Sequence, residues 1–243
     1  HSFEKHIDKS DPNDVISFIY TSGTTGNPKA GMITNSNVIS SIKHLPKILD
    51  INQKDLTVAY LPLAHIAERL LGHFLKLVYG NQTAFAESIE DMPNNIRQVG
   101  PSILFGTPRV FEKFYAKIAT GISDASWIQK KIYHWAIGIG KEISIAKGSN
   151  SFFLKLKVWL AKYLIYNKIK DIFGGRIRYM ISGAAPISPK ILNFFKWMNI
   201  TILEGYGMTE TTGIISINLP HAVKIGSVGK PYPNTKVKIA EDG

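Results

Sequence analysis

Val15-Ile-Ser-Phe-Ile19 runs directly into Tyr20-Thr-Ser-Gly-Thr-Thr-Gly-Asn-Pro-Lys29. The apolar, β-branched half predicts a strand over 15–20. The second half packs four Ser/Thr hydroxyls, two glycines and a lysine into ten residues. Such a loop wraps a polyphosphate. Gly23 and Gly26 let the backbone come close, the amides and the hydroxyls of Thr21, Ser22, Thr24 and Thr25 donate to phosphate oxygens, and Lys29 supplies positive charge. The order is not that of a Walker A loop, because Asn27-Pro28 separate Gly26 from Lys29. A Rossmann fingerprint is also missing: Gly138-Ile-Gly140 is followed by Ile143 where a third glycine belongs.

Outward from the loop, strand-like and helix-like segments alternate. Strands are expected over 15–20, 57–61, 82–86, 102–105, 177–182 and 201–203. Helices are expected over 36–49, 64–78, 92–99, 108–119, 127–147, 152–172 and 188–198. This alternation predicts an α/β fold with mostly parallel sheets flanked by helices. Ligands in such folds lie beyond the carboxyl ends of the strands. Glu68 and Arg69 are neighbours at the start of a helix and also fit a local ion pair.

The chain has 243 residues, 44% of them hydrophobic, which is enough for a full core. A formal charge of +11 suits anionic ligands and surfaces. No aromatic-basic recognition motif accompanies it, so nucleic acid is not expected as a partner. The absence of cysteine excludes disulfides and thiolate metal sites within this sequence and fits a reducing, cytoplasmic setting. No signal peptide or membrane-spanning run is visible.

Three further segments join the loop in a family pattern. They are Glu204-Gly-Tyr-Gly-Met-Thr-Glu-Thr-Thr-Gly213, Ile181-Ser-Gly-Ala-Ala-Pro-Ile187 and Tyr60-Leu-Pro-Leu-Ala-His-Ile-Ala-Glu-Arg69. With Thr21–Lys29, their order resembles the adenylate-forming (AMP-binding) superfamily. The resemblance covers nearly the whole chain and implies part of the large N-terminal domain of an acyl-CoA synthetase-like fold. It implies ATP, Mg2+ and CoA as cofactor and co-substrates. By the same resemblance, Lys29 and the Thr21–Thr25 donors hold the β- and γ-phosphates. Thr209 meets the α-phosphate, and Glu210 is the hard oxygen ligand for Mg2+. Gly183, Ala184 and Ala185 lie against adenine and Tyr206 offers it a flat face; Gly205 and Gly207 let the chain pass close to nucleotide and substrate, and Glu204 and Met208 belong to the same nucleotide-binding segment. His65 lies beside the acyl carboxylate.

Leu61-Pro-Leu-Ala-His65, Thr107-Pro-Arg-Val-Phe-Glu-Lys113, Gly183-Ala-Ala-Pro-Ile-Ser188 and a helical insert near 127–172 look like long-chain fatty acyl-CoA synthetases. The implied activity is ATP-dependent activation of a long-chain fatty acid through acyl-AMP and transfer to CoA. An adenylating ligase for another acid or for a carrier-protein acceptor, and a non-catalytic nucleotide- or lipid-binding module, are the rival readings. One departure stands out: after Lys29 the family places Gly and then an aliphatic residue, whereas here Ala30-Gly31 follow. Residues 1–243 read as an incomplete adenylation domain, with an N-terminal part and a small C-terminal domain expected outside them. Oligomeric state is not legible.

The segment 152–169 is apolar on two sides. At about 100° per residue, Lys155 and Lys162 form one stripe and Lys157 and Lys168 another. A wide arc between them holds Phe152, Phe153, Leu156, Trp159, Leu160, Tyr163 and Leu164, and a narrow arc holds Leu154, Val158, Ala161 and Ile165. Two arrangements fit: a helix wedged between other elements, or one packed on one side with the other on a membrane surface.

Overall fold

A computed structural model describes Glu4, Ile7 and residues 9–21, 27–145 and 152–241. The loop residues Ser22, Gly23, Thr24, Thr25 and Gly26 lie outside the described residues, as do Ala146 and Lys147 of the expected 127–147 helix.

The chain opens with a hairpin of β1 (Val15–Thr21) and β2 (Lys29–Thr34), paired antiparallel with Thr21 opposite Lys29. Thr34 then caps α1 (Asn35–Ile42) in a reciprocal box. Its Oγ1 accepts from the Asn37 amide at 3.2 Å, and its own amide donates to Asn37 Oδ1 at 3.1 Å. The single helix expected over 36–49 is two helices. Pro46 has no N–H and cannot sit inside a helix, so the chain breaks at Lys43-His44 and restarts as α2 (Leu45–Leu49) with Pro46 in its first turn.

β3 (Leu56–Ala59) crosses over through α3 to β4 (Gln82–Phe85), which pairs with it in parallel. Helix α3 is continuous over 66–79 but widens into a π-helical stretch at Arg69–Phe74 between Ile66–Glu68 and Leu75–Tyr79. After α4 (Met92–Val99) comes the main sheet, in the order β5 (Ile103–Gly106), β6 (Tyr179–Ser182), β7 (Thr201–Met208), β8 (Gly213–Ile217) and β9 (Lys230–Pro231). Its β5–β6–β7 core is parallel, and β8 and β9 add antiparallel. Helices α5 (Pro108–Ser123), α6 (Trp127–Ile145), α7 and α8 (Pro189–Trp197) complete the chain. Helix α7 runs through Phe152–Ala161, a π-helical Lys162–Tyr166 and Asn167–Asp171.

The pleat sorts the sheet residues onto two cores, because neighbours in a strand face opposite sides. Leu104, Met180 and Ile202 pack with Phe111, Phe114 and Phe195 from the helices and Phe173 from the turn after α7 on one face. Ile103, Ile181 and Leu203 pack with Ile42, Leu45, Ile66 and Leu70 on the other. Helices cover both faces, as the alternation predicted.

The two apolar arcs of helix α7 differ in burial among the described residues. Ala161 is fully buried, and Leu154, Val158 and Ile165 are partly covered, so the narrow arc packs on the protein. Phe152, Phe153, Trp159 and Tyr163 on the wide arc stay 62–74% exposed. The π-helical turn rotates Tyr166 off the exposed side, where its hydroxyl donates to the Ala136 carbonyl at 2.7 Å and ties α7 to α6. No helix among the described residues is long and apolar enough to cross a membrane.

Candidate active site

The site grows from the β7–β8 hairpin. Residues 204–208, beyond the strand expected over 201–203, extend β7 itself. Gly207 makes this possible: a Cβ there would sit 1.9 Å from the Gly213 carbonyl oxygen across the hairpin, so only glycine permits the approach. The turn at 209–212 is locked by Thr211. Its Oγ1 receives the Met208 amide at 3.2 Å and lies 3.1 Å from the Met208 and Gly213 carbonyls. This rigid turn presents Thr209 and leaves the Glu210 carboxylate exposed, with no hydrogen bond or ion pair among the described residues.

Two clefts flank the hairpin. The first encloses about 640 Å3, including its open mouth, and is mostly apolar. His65 and Leu70 of α3, Phe105, Gly183-Ala184 at the end of β6, and Gly205-Tyr206-Gly207 of β7 form its walls. Ala184 adopts φ +69, the left-handed turn that swings the chain away after β6. Ser182 and Ser216 also face this cleft. Both hydroxyls are buried and have no hydrogen-bond partner among the described residues, so they are donors held ready in an apolar wall. Behind Ala67, Leu71, Phe105 and Ile181 lies a second apolar space of about 520 Å3 that shares these residues and ends near Leu75 and Asn81.

The other cleft is polar and wider, about 1100 Å3, with Thr209, Glu210 and Thr211 facing Gly31, Asn37, Ser40 and Lys43. Gly31 lies where the β1–β2 hairpin meets the Thr209 turn, and a Cβ at this position would come within 3.2 Å of Thr209 Cγ2, a tight contact. Thr21 and the exposed Lys29 sit at the mouth of that hairpin. No three His, Asp or Glu residues cluster as a ready cation cage among the described residues. A divalent cation at Glu210 would therefore draw most of its oxygen ligands from phosphate and water, the arrangement typical of magnesium.

His65 caps α3. Its Nδ1 accepts the Ala67 amide at 3.2 Å, which places the proton of the neutral ring on Nε2. Burial holds its pKa below the ordinary histidine value, so the ring is neutral at pH 7 and Nε2 is a donor.

Glu68, for which a local pair with Arg69 was one fitting arrangement, turns inward. Its Oε2 accepts the Tyr60 and Leu61 amides at 3.2 and 3.1 Å, fixing the turn that leads to His65. Arg69 instead donates from Nε to the Leu63 carbonyl at 2.8 Å. The Glu68 carboxyl lies over Gly72, where a Cβ would come within 2.0 Å of Oε1. Burial raises the Glu68 pKa above its ordinary 4.5. A raised acid pKa gives stability that is complete below about 4.5 and is lost as pH rises through the folded value. Glu68→Gln keeps an acceptor for both amides, so its stability relative to the wild type should increase over that rise. Glu68→Ala leaves two amides unpaired and should cost about 1–3 kcal/mol below that rise, with the deficit narrowing above it as the wild type loses stability. Urea unfolding across pH 4–8 separates the two; parallel curves for all three proteins would contradict this role.

Not every expected residue reaches a cleft. Glu204 points away from both and binds the Gly226 amide at 2.9 Å, anchoring the loop before β9; burial raises its pKa. Ala185 and Met208 are exposed and line neither cleft. Ser182 and Glu68 were given no site role from sequence, and Ser216 and the apolar α3 wall were not singled out, because nothing in their spacing marks where they face.

Comparison with known proteins matches residues 2–243 to the family model described as "AMP-binding enzyme". The chain is 34% identical over 241 residues to the long-chain-fatty-acid–CoA ligase ACSBG2 of Xenopus laevis, covering 96% of this chain and 33% of that protein. It is 31% identical to fatty acyl-CoA synthetase A of Dictyostelium discoideum, covering 95% and 34%. Among solved structures, the O-succinylbenzoate coenzyme A synthetase of Bacillus subtilis, in complex with ATP and magnesium ion, shares the fold. Its TM-score is 0.64 at 21% identity, over 96% of this chain and 39% of that one. The chain thus spans about a third of the length of the relatives it matches. With the family model covering residues 2–243, the chain belongs to the AMP-binding enzyme family.

Proposed function

We propose that the protein containing this chain activates a long-chain fatty acid with ATP and transfers it to CoA. A carboxylate oxygen attacks the α-phosphorus, and the α–β phosphoanhydride bond breaks to release pyrophosphate. The CoA sulfur then attacks the acyl carbon, losing its proton, and AMP departs. The observation that carries this reading is the meeting of an apolar and a polar cleft at one hairpin. The apolar cleft, with the space behind it, suits a hydrocarbon tail. The polar one suits a triphosphate.

In this reading Nε2 of His65 donates to the carboxylate and orients it, with Ser182 and Ser216 as further donors near the head group. Gly183, Ala184 and Tyr206 border the adenine. Thr209 donates to the α-phosphate, while Lys29, Thr21 and the loop Ser22–Gly26 hold the outer phosphates. Glu210 holds magnesium, which when bound neutralises phosphate charge. Most of the acceleration is then positioning and electrostatics in a water-poor cleft. The chain is assigned to the large adenylation domain, with 127–172 as its helical insert. Thioester formation is assigned to the full-length protein, not to residues 1–243 alone. The relatives' names as long-chain and fatty acyl-CoA ligases support the choice of acid.

His65→Ala in the full-length protein should lower kcat/KM for the fatty acid about tenfold or more with little change in KM for ATP. Equal effects on both substrates would argue that His65 acts only as a helix cap.

A further inference from the structure

The exposed face of α7 carries Phe152, Phe153, Leu156, Trp159, Leu160 and Tyr163, each at least 36% exposed. These residues cover an arc of about 120° at 100° per residue. Lys155 and Lys162 border the arc on one side and Lys157, which precedes the π-helical turn, on the other. No acidic residue occurs from Phe152 to Lys170. We propose that this face docks the protein on an anionic lipid surface, with α7 lying in the plane of the headgroups.

Four features favour lipid over a folded protein partner. The cations flank both edges, so their hydrocarbon stems extend the apolar face while the ammonium groups reach phosphates on either side. Trp159 and Tyr163 stack, with centroids 6.3 Å apart and planes 10° from parallel. Amphipathic rings of this kind settle where hydrocarbon meets water. Underneath, Ala161 and the Tyr166–Ala136 hydrogen bond hold the helix against α6, so the face is presented by a fixed support. The helix is not long and apolar enough to cross the bilayer, so it lies on the surface. None of this depends on the assignment of the nucleotide clefts.

The test uses the full-length protein and sedimentation with vesicles of phosphatidylcholine, with or without phosphatidylserine. The wild type should sediment with the serine-lipid vesicles and be released by salt. Lys155→Glu/Lys162→Glu and Phe153→Ala/Trp159→Ala should each weaken that binding about tenfold or more. Adenylation of a short, water-soluble acid should be unchanged in both variants, which separates failure here from failure of the proposed reaction. Binding that is equal on neutral and anionic vesicles, or unchanged in both variants, overturns the proposal. So does a loss of dimerisation or of thermal stability in the variants without loss of vesicle binding. That result would mean another part of the protein, or a second copy, covers the face.

Discussion

Glu210→Ala in the full-length protein is expected to lose fatty-acid-dependent adenylation by at least about a hundredfold while keeping its fold. The two halves of this expectation have different origins. The Glu210 carboxylate is exposed and makes no hydrogen bond or ion pair among the described residues, so its removal breaks nothing that holds the turn. Thr211 Oγ1 and the Thr212-to-Thr209 amide hydrogen bond at 3.0 Å hold it instead. An exposed substitution of this kind costs within about 0.5 kcal/mol of stability. The loss in rate comes from the charge. Thr209 and Glu210 face the β1–β2 hairpin across a polar cleft, and no other carboxylate among the described residues lines that cleft to replace Glu210. Glu210→Gln, which keeps the shape and removes the charge, should therefore resemble the alanine variant. Rates of acyl-AMP formation over a magnesium titration would test both; near-normal rates with unchanged magnesium dependence would remove Glu210 from the site.

Arg178→Met is expected to cost about 3 kcal/mol of stability, more than Asp55→Asn. Asp55 is buried between the starts of β3 and β5. Its Oδ2 lies 2.8 Å from Arg178 Nη2 and accepts the Asn52 amide at 2.9 Å, while its Oδ1 accepts the Ser102 hydroxyl at 2.6 Å. Arg178 also donates to the Asp50 carbonyl at 2.8 Å. Three strand ends are held this way: Leu56 and Ser102 share hydrogen bonds, and Arg178 precedes β6. The order of the two effects follows from burial. The Asp55 side chain is 5% exposed and that of Arg178 34%. Without Arg178 a carboxylate is stranded out of water, whereas without the Asp55 charge the guanidinium still reaches solvent. Because the network lies at the amino ends of the strands and the clefts at their carboxyl ends, activity per folded molecule should hold in both variants. Thermal unfolding of the two beside the wild type checks the order; a larger shift for Asp55→Asn would contradict it.

Periodicity made the parallel core legible, since buried strands and amphipathic helices carry their spacing openly. The helix over 92–99 matches its expected bounds because Pro93 near its start and Gly100 at its end mark both limits. What went unread depends on contacts remote in sequence. The glycines of Gly205-Tyr-Gly207 suggest a turn until Gly213 is known to lie across from them. Nothing local announces that β8 returns antiparallel. The inward turn of Glu68 needs both the free amides of Tyr60 and Leu61 and the room above Gly72. In the site, the motifs led to His65, Gly183, Ala184, Gly205, Tyr206, Gly207, Thr209 and Glu210, all of which line the two clefts. Glu204 differs because its carboxylate accepts the Gly226 amide, a partner remote in sequence that nothing local announces. On α7, the wheel located two apolar arcs, but only packing on α6 distinguished the buried one.

The most direct test of the central claim is ATP–pyrophosphate exchange by the full-length protein across acids from short to very long chains. Exchange that depends on the acid and peaks with long chains is the expected result. No exchange with any fatty acid, from a folded protein that still binds ATP, would contradict fatty-acid activation and point to another acid or to a binding module.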